Sequence, residues 1–288
     1  GLNVRDEIIN ASTKEVLNYR EAILRGFELV KKNGILTLNM IKEIQASLVN
    51  TRAGFRSVPG TKLKRNDGIV VYIPPQEIDE IERLMTNLEQ FINTQDDDLD
   101  PLIKLAIIHH QFESIHPFFD GNGRTGRIIN ILYLVIAERL DLPILYLSRY
   151  ITHNKGEYYR LIQAIRDNEG KNVEQWEEWI LFILKGIEVT AEQTIGLVKS
   201  ISVMMAEYKK VLRQLFDKQY RHELLNNLFF HPYTKIEFME KDMMISRQTA
   251  SKYLSTMVDA GLLECTKIGK TNYYINVKLV NLFLNMNT

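Results

Sequence analysis

Apolar residues recur every three or four positions in STKEVLNYREAILRGFELVKKNG, residues 12–34, and the pattern stops at Asn33-Gly34. That spacing predicts an amphipathic helix with a glycine past its end. TLNMIKEIQASLVN, residues 37–50, predicts a second. The texture then changes. Residues 51–75 carry Asn66-Asp67-Gly68, a hairpin turn signal, then the β-branched run from Ile69 to Ile73 and Pro74-Pro75. A β-hairpin inserted among helices is expected over about 54–75. Helical spacing resumes in PQEIDEIERLMTNLEQFINT. Asp100-Pro101 is an N-cap followed by proline at the first helical position, and it opens the largely apolar helix LIKLAIIHHQFESI. A second largely apolar helix, RTGRIINILYLVIAERL, follows from Arg124. Two buried helices thus flank a short polar loop.

Further helices are expected at about 154–167 and 173–188, and a long one over roughly 189–218. Near residue 220 the pattern shortens. HELLNNLFF reads as a short helix, and TKIEFMEKD with SRQTASKYLSTMVDAGLLE reads as helix-turn-helix. LLECTKIGKTNYYIN reads as two strands about a Gly-Lys turn. Three helices and a two-stranded wing predict a winged helix of about 70 residues. The fold class is therefore mainly α: a helical bundle with an inserted hairpin over 1–190, a linker helix over 191–217, and a winged helix-turn-helix domain over 218–288.

Composition adds limits. Lys+Arg and Asp+Glu both number 36 in 288 residues, so anion binding must come from local placement and not from bulk charge. Cys265 is the single cysteine, which excludes an internal disulfide and points to a reducing, cytoplasmic setting. No apolar run approaches the ~20 residues that span a bilayer, and no signal peptide opens the chain. Between Phe216 and Thr288 there are nine Lys/Arg and seven Asp/Glu. A net of +2 is a weak footprint for nucleic acid. Ser246 would cap a recognition helix carrying Arg247 and Lys252, with Lys267 and Lys270 in the wing. DNA, another protein or a second copy of the chain (a homodimer) remain open as its partner.

The chemistry concentrates in the loop between the two buried helices, HPFFDGNGRTGR, residues 116–127. Read literally, Gly121 to Gly126 satisfies G-x-G-x-x-G, but a dinucleotide site needs a preceding strand, and a helix with His-Pro precedes here. The P-loop pattern fails too, since Arg127-Ile128 replaces Lys-Ser/Thr. What remains is a helix N-terminus near Arg124 with its dipole and unbonded N–H groups, an anion site by construction. Gly121 and Gly123 let backbone approach phosphate oxygens. Arg124 and Arg127, three apart, can grip successive phosphates. Asp120 is a hard oxygen ligand suited to Mg²⁺. His116 can take a proton from an incoming nucleophile. These parts describe phosphoryl or nucleotidyl transfer. A zinc site on His109, His110 and His116 lacks cysteine or acidic partners at ligand spacing.

The same stretch resembles the signature of the Fic family, H-P-F-x-[D/E]-G-N-G-R-x-x-R, at every defined position. IKLAIIHHQFESI resembles the family's helix before the motif. Gly54-Phe55-Arg56 with the hairpin to Pro74-Pro75 resembles its flap, and VLNYREAIL its N-terminal helical region. The likeness covers about residues 1–190. It implies a Fic-type helical bundle and transfer of AMP from Mg·ATP to a Ser, Thr or Tyr hydroxyl of a target protein. By position, His116 would be the general base and Asp120 the Mg²⁺ ligand. Gly121, Asn122 and Gly123 would line the α-phosphate site, Arg124 would hold the β-phosphate and Arg127 the γ-phosphate. Relatives that transfer the γ-phosphate carry lysine at the position of Gly123, so glycine favours AMP transfer. The flap edge at Val70, Val71, Tyr72 and Ile73 would accept an extended target segment as an added strand. Tyr158, Tyr159 and Asn168 match the family's adenine-flanking segment.

Many relatives also carry an inhibitory helix, [S/T]-x-x-x-E-[G/N], whose glutamate pairs with the second arginine. No such string occurs in these 288 residues. In relatives a Glu-Gly pattern precedes sequence like GLNVRDE, so Gly1 is expected at or near that glycine, leaving Arg127 free; Gly1 as a tag remnant is the alternative. Two other functions compete. One is a DNA-binding regulator that uses the Fic-like domain as a nucleotide sensor. The other, removal of AMP, depends in relatives on the glutamate that is missing here.

Overall fold

The computed structural model describes residues 2–65, 67–95, 98–269 and 271–285, with side chains from Lys14 onward. Gly1, Asn66 and Lys270, named above, lie outside the described residues. Two compact units divide the chain, Gly1–Ala191 and Glu192–Thr288.

The first unit is built on α1 (Leu2–Asn33), α2 (Leu38–Val49), α3 (Ile78–Asn93), α4 (Pro101–Ile115) and α5 (Asn122–Ile136). The local signals set their ends. The Thr37 side chain accepts from the Met40 N–H at the start of α2, and Asp100 accepts from the Leu102 N–H ahead of Pro101 in α4. α1 packs on α2 and α5, and α4 packs on α3 and α5. Gly26 marks the closest approach of three helices: a Cβ there would stand 2.7 Å from Leu132 Cδ1 and 3.0 Å from Ile44 Cδ1. The core runs through Ile41, Ile44, Ile81, Met85, Leu105, Phe112, Ile128 and Leu132. α6 (Leu147–His153), α7 (Lys155–Asp167) and the first half of α8 (Val173–Phe216) complete the unit. The buried Trp179 indole donates to the Ala106 carbonyl at 2.8 Å and fastens α8 to α4. The inserted hairpin is β1 (Leu63–Lys64) and β2 (Val70–Tyr72), antiparallel and short, with a bulge between Leu63 and Lys64.

Residues 173–188 and 189–218 were expected as two helices with a linker at 191–217. They form one helix of 44 residues. No glycine cap or proline interrupts Glu188-Val-Thr-Ala191, so nothing stops the hydrogen-bond ladder. Nor is 191–217 only a linker. Tyr208, Leu212 and Phe216 are buried in the core of the second unit.

That unit adds a 3₁₀ turn at Asp217–Gln219, then α9 (His222–Phe230), α10 (Ile236–Met243), α11 (Arg247–Asp259) and the hairpin β4 (Glu264–Ile268) and β5 (Thr271–Ile275). β3 (Tyr233–Thr234) pairs with β5, so the sheet has three strands where two were expected, in the order β3-β5-β4, and α12 (Val277–Asn285) follows. A two-residue strand beside Pro232 carries no alternation for sequence to reveal. Buried Tyr208 joins α8 to the sheet, its hydroxyl bonding the Leu262 carbonyl at 3.0 Å and Asn276 Oδ1 at 2.9 Å.

Candidate active site

The 116–127 loop joins the C-terminus of α4 to the N-terminus of α5, and its backbone is tied down at His116, Pro117 and Phe118. His116 is the C-cap of α4 at φ 50°, a left-handed conformation that costs a non-glycine residue about 1 kcal/mol or more. Its surroundings enforce that conformation. The His116 N–H reaches the Phe112 carbonyl at 3.0 Å. Arg56, fully buried, donates Nε to the His116 carbonyl at 2.8 Å and Nη2 to the Ile115 carbonyl at 3.3 Å. The same Nη2 reaches the Pro75 carbonyl at the exit of the hairpin. The Arg56 N–H takes the Pro117 carbonyl at 2.9 Å. Phe118 is buried between Phe55 and Phe112, with ring centroids at 5.3 and 6.4 Å.

Asn122 was expected to line the anion site. Its side chain turns inward, accepting from the Phe118 N–H at 2.9 Å and donating to the Phe118 carbonyl at 2.7 Å. Only its backbone N–H remains for a ligand. α5 begins at Asn122, two residues before the expected start near Arg124, because Gly121 serves as N-cap at φ 81°. A side chain at Gly121 would also stand 3.0 Å from Val49 Cγ1. No side chain caps this helix end, so its first N–H groups and dipole face the loop mouth.

Asp120 stands at that mouth with its side chain 75% exposed. Its Oδ1 accepts the Gly121 N–H at 2.6 Å, while buried Gln45 holds its carbonyl at 3.0 Å. The two arginines part company. Arg124 reaches Asp120 Oδ2 at 3.4 Å and pairs with Glu15 of α1 at 2.7 Å. Arg127 points inward: its Nε is buried without an acceptor. Near it lies Glu113, whose Oε1 is also buried without a donor. Burial raises the Glu113 carboxyl above its ordinary range, against the pull of Arg127 and Arg166.

His116 is held neutral. Burial, helped by the positive charges of Arg166 and Arg56, lowers its imidazole to about 4. At neutral pH it is a free base. Arg166 of α7 caps the last turn of α4, donating Nε to Ser114 Oγ at 3.0 Å and Nη2 to the Glu113 carbonyl at 2.9 Å. Its guanidinium lies 4.2 Å from the centroid of the Tyr72 ring on β2. Along the flap Val71 and Tyr72 are half-buried, while Val70 and Ile73 are exposed. Among the described residues β2 pairs with β1 alone, so its other edge is unpaired there.

The adenine candidates separate. Tyr158 is a core residue whose hydroxyl bonds His109 Nε2 at 3.1 Å and whose ring packs on Trp179 and Phe182. Tyr159 and Asn168 are exposed. Asn168 is the C-cap of α7, with Nδ2 on the Ala164 carbonyl at 3.2 Å. Sequence reasoning missed Glu15, Gln45, Glu113 and Arg166, and named Arg56 only as part of the flap. Nothing local marks them, because each acts on residues brought near only by the fold.

A profile described as Fic/DOC family matches residues 35–134. A second, described as the C-terminal domain of SoFic-like protein adenylyltransferase, matches residues 204–279. Together they cover more than half of the chain. This chain carries a Fic/DOC domain followed by a SoFic-like C-terminal domain. Among its Fic relatives, "Protein adenylyltransferase Fic" of Drosophila mojavensis is 29% identical over 178 residues, which are 56% of this chain and 34% of that protein. The Drosophila melanogaster protein of the same name is 28% identical over the same shares. The chain thus spans about a third of the length of the curated relatives it matches. A crystal structure of a Fic family protein from Desulfovibrio desulfuricans superposes with a TM-score of 0.52 at 20% identity, over 91% of this chain and 74% of that one. At that identity the likeness supports the Fic fold. The Fic match ends at Leu134 and so contains the whole 116–127 loop.

Proposed function

We propose that this Fic chain transfers AMP from Mg·ATP to a Ser, Thr or Tyr hydroxyl of a target protein or of itself. One observation carries the reading: the short loop between α4 and α5 links a neutral imidazole, clamped in a left-handed cap, to an uncapped helix N-terminus that also bears an exposed carboxylate. His116 takes the hydroxyl proton as the hydroxyl oxygen attacks the α-phosphorus. The bond from that phosphorus to the β-bridging oxygen breaks, and pyrophosphate leaves. The N–H groups of Asn122 and Gly123 receive the α-phosphate oxygens. Arg124 exchanges Glu15 for the β-phosphate, and Arg127 turns from its place near Glu113 to the γ-phosphate.

Asp120 fits a Mg²⁺ ion. Its Oδ2 faces solvent and an arginine, and among the described residues no group of three His, Cys, Asp or Glu could hold a metal. One carboxylate plus substrate phosphates is how magnesium is commonly held. Bound there, the ion would neutralise charge on the phosphates. Of the three adenine candidates, the exposed Tyr159 and Asn168 are the ones a base can reach. The unpaired edge of β2 would seat the target as an added strand.

We read the second unit as a winged helix whose α11, capped by Ser246, presents the exposed Arg247 and Lys252. Its partner is DNA, another protein or a second copy. Binding of a labelled duplex by the full chain, weakening steeply with salt, would identify DNA. Among the described residues no helix is long and apolar enough to cross a membrane. The lone, exposed Cys265 suits a cytoplasmic setting.

The transfer reading is tested with ATP labelled on the α- or the γ-phosphate. Label should stay on protein only from the α position, and His116→Ala should abolish it. Retention of γ label, or undiminished transfer by His116→Ala, would overturn it.

A further inference from the structure

Three elements meet on one side chain of α7. Arg166 donates Nε to Ser114 Oγ at 3.0 Å and Nη2 to the Glu113 carbonyl at 2.9 Å, both in the last turn of α4. Tyr72 of β2 lies 4.2 Å from the same guanidinium. The last carbonyls of a helix have no partner within it. Here two arginines satisfy them, Arg166 at Glu113 and Arg56 at Ile115 and His116. A positive group at a helix C-terminus also gains from the dipole.

Both arginines touch the flap as well. Arg56 precedes the hairpin and binds the Pro75 carbonyl at its exit, while Arg166 holds its middle through Tyr72. The flap is therefore anchored to the helix end that presents His116, and to no other part of α4 by these groups. A swing of β2 away from the core would strip Arg166 of its ring and loosen its grip two residues before the histidine. Arginine suits this post better than lysine, since its planar fork can bond two acceptors while its face stacks on a ring.

We propose that Arg166 is a positioning residue that couples the flap strand to His116. The charged groups that act on the imidazole are Arg166 from α7 and Arg56 from the approach to the flap, and the buried Glu113 carboxyl stands on α4 itself. Removing Arg166 leaves Arg56 and burial to hold the proton off, so His116 titrates at a higher pH. The inference rests on the transfer reading only for what the coupling serves, namely bringing a flap-bound hydroxyl to the base.

The test needs no transfer. His116 is titrated by NMR in the full chain, and amide exchange is followed at Val70, Val71 and Tyr72, in Arg166→Met, Arg166→Lys and Tyr72→Leu. In Arg166→Met the imidazole midpoint should rise from about 4, and flap amides should exchange about tenfold faster, in line with a partly buried cation–π contact. Arg166→Lys keeps the charge and should leave the midpoint low while the flap loosens. Tyr72→Leu leaves the bonds of Arg166 to Ser114 Oγ and the Glu113 carbonyl intact, so it keeps the test open if Arg166→Met fails to fold; it should speed exchange in the flap alone. Wild-type titration in Arg166→Met, or wild-type flap exchange in Arg166→Lys and Tyr72→Leu, overturns the coupling. Loss of transfer in the unaltered chain would overturn the transfer reading instead.

Discussion

Glu15 should compete with nucleotide for Arg124. The two side chains pair at 2.7 Å, with Arg124 23% and Glu15 59% exposed. A phosphate that takes Arg124 must first displace that carboxylate. An exposed ion pair is worth about 0.2–1 kcal/mol, so Glu15→Gln should tighten binding of a non-hydrolysable Mg·ATP analogue by at most about fivefold. Arg124→Ala acts in the opposite direction. A hydrogen bond to a charged group contributes about 1.5–3 kcal/mol, which is about 10- to 150-fold weaker binding. Titration calorimetry at low and high salt measures both. The Glu15→Gln gain should shrink as salt rises, because surface pairs are screened. Weaker binding in Glu15→Gln would refute the reasoning, for it would mean that the carboxylate holds Arg124 ready for phosphate. Unchanged affinity in Arg124→Ala would remove that arginine from the phosphate site.

Three further outcomes follow from the geometry. With His116 lowered to about 4, its base form prevails above that value; transfer, followed as α-label incorporation across pH, should hold toward pH 5 and fall as pH drops through about 4. His109 and His110 are buried neutral at about 3 and about 4; His109 lies against Trp179, and His110 against both Trp176 and Trp179, the chain's two tryptophans. The unfolded chain binds these protons near 6.5, so stability is fully present above that pH. It should fall by about 1.4 kcal/mol per pH unit for each imidazole as pH drops toward about 4; denaturant melts read by tryptophan fluorescence check the slope, which His110→Phe should flatten. Gly126→Ala would set a methyl 2.9 Å from Glu113 Oε1 and 3.0 Å from Phe112 Cδ1. It should lower stability by about 1–3 kcal/mol in thermal melts, while Gly156→Ala, with open space around its Cβ, should raise it by up to about 1 kcal/mol.

What sequence could reveal divides by the range of the interaction. Asp100 and Ser246 were readable as caps because each bonds an N–H two or three residues away. The 116–127 loop was readable because its glycines, acid and arginines lie within twelve residues. Arg56 acts across 60 residues, Arg166 across 53 and Glu15 across 109, and no local pattern records such pairings. The fold sets the Glu15 carboxylate on Arg124. The inward turn of Asn122 is also a matter of the fold: buried Phe118 needs its own N–H and carbonyl satisfied, and the Asn122 side chain does both. α8 misled because its buried positions belong to two cores, Trp179 to Ile187 in one and Tyr208 to Phe216 in the other.

The central claim is that this site moves a nucleotidyl group and not a phosphoryl group. Mass spectrometry of the full chain, incubated with Mg·ATP alone and with a cell lysate, tests it most directly. The account predicts protein carrying the mass of one AMP on a Ser, Thr or Tyr, absent with His116→Ala. An adduct of phosphate mass, or no adduct on any protein while ATP is bound, would contradict it.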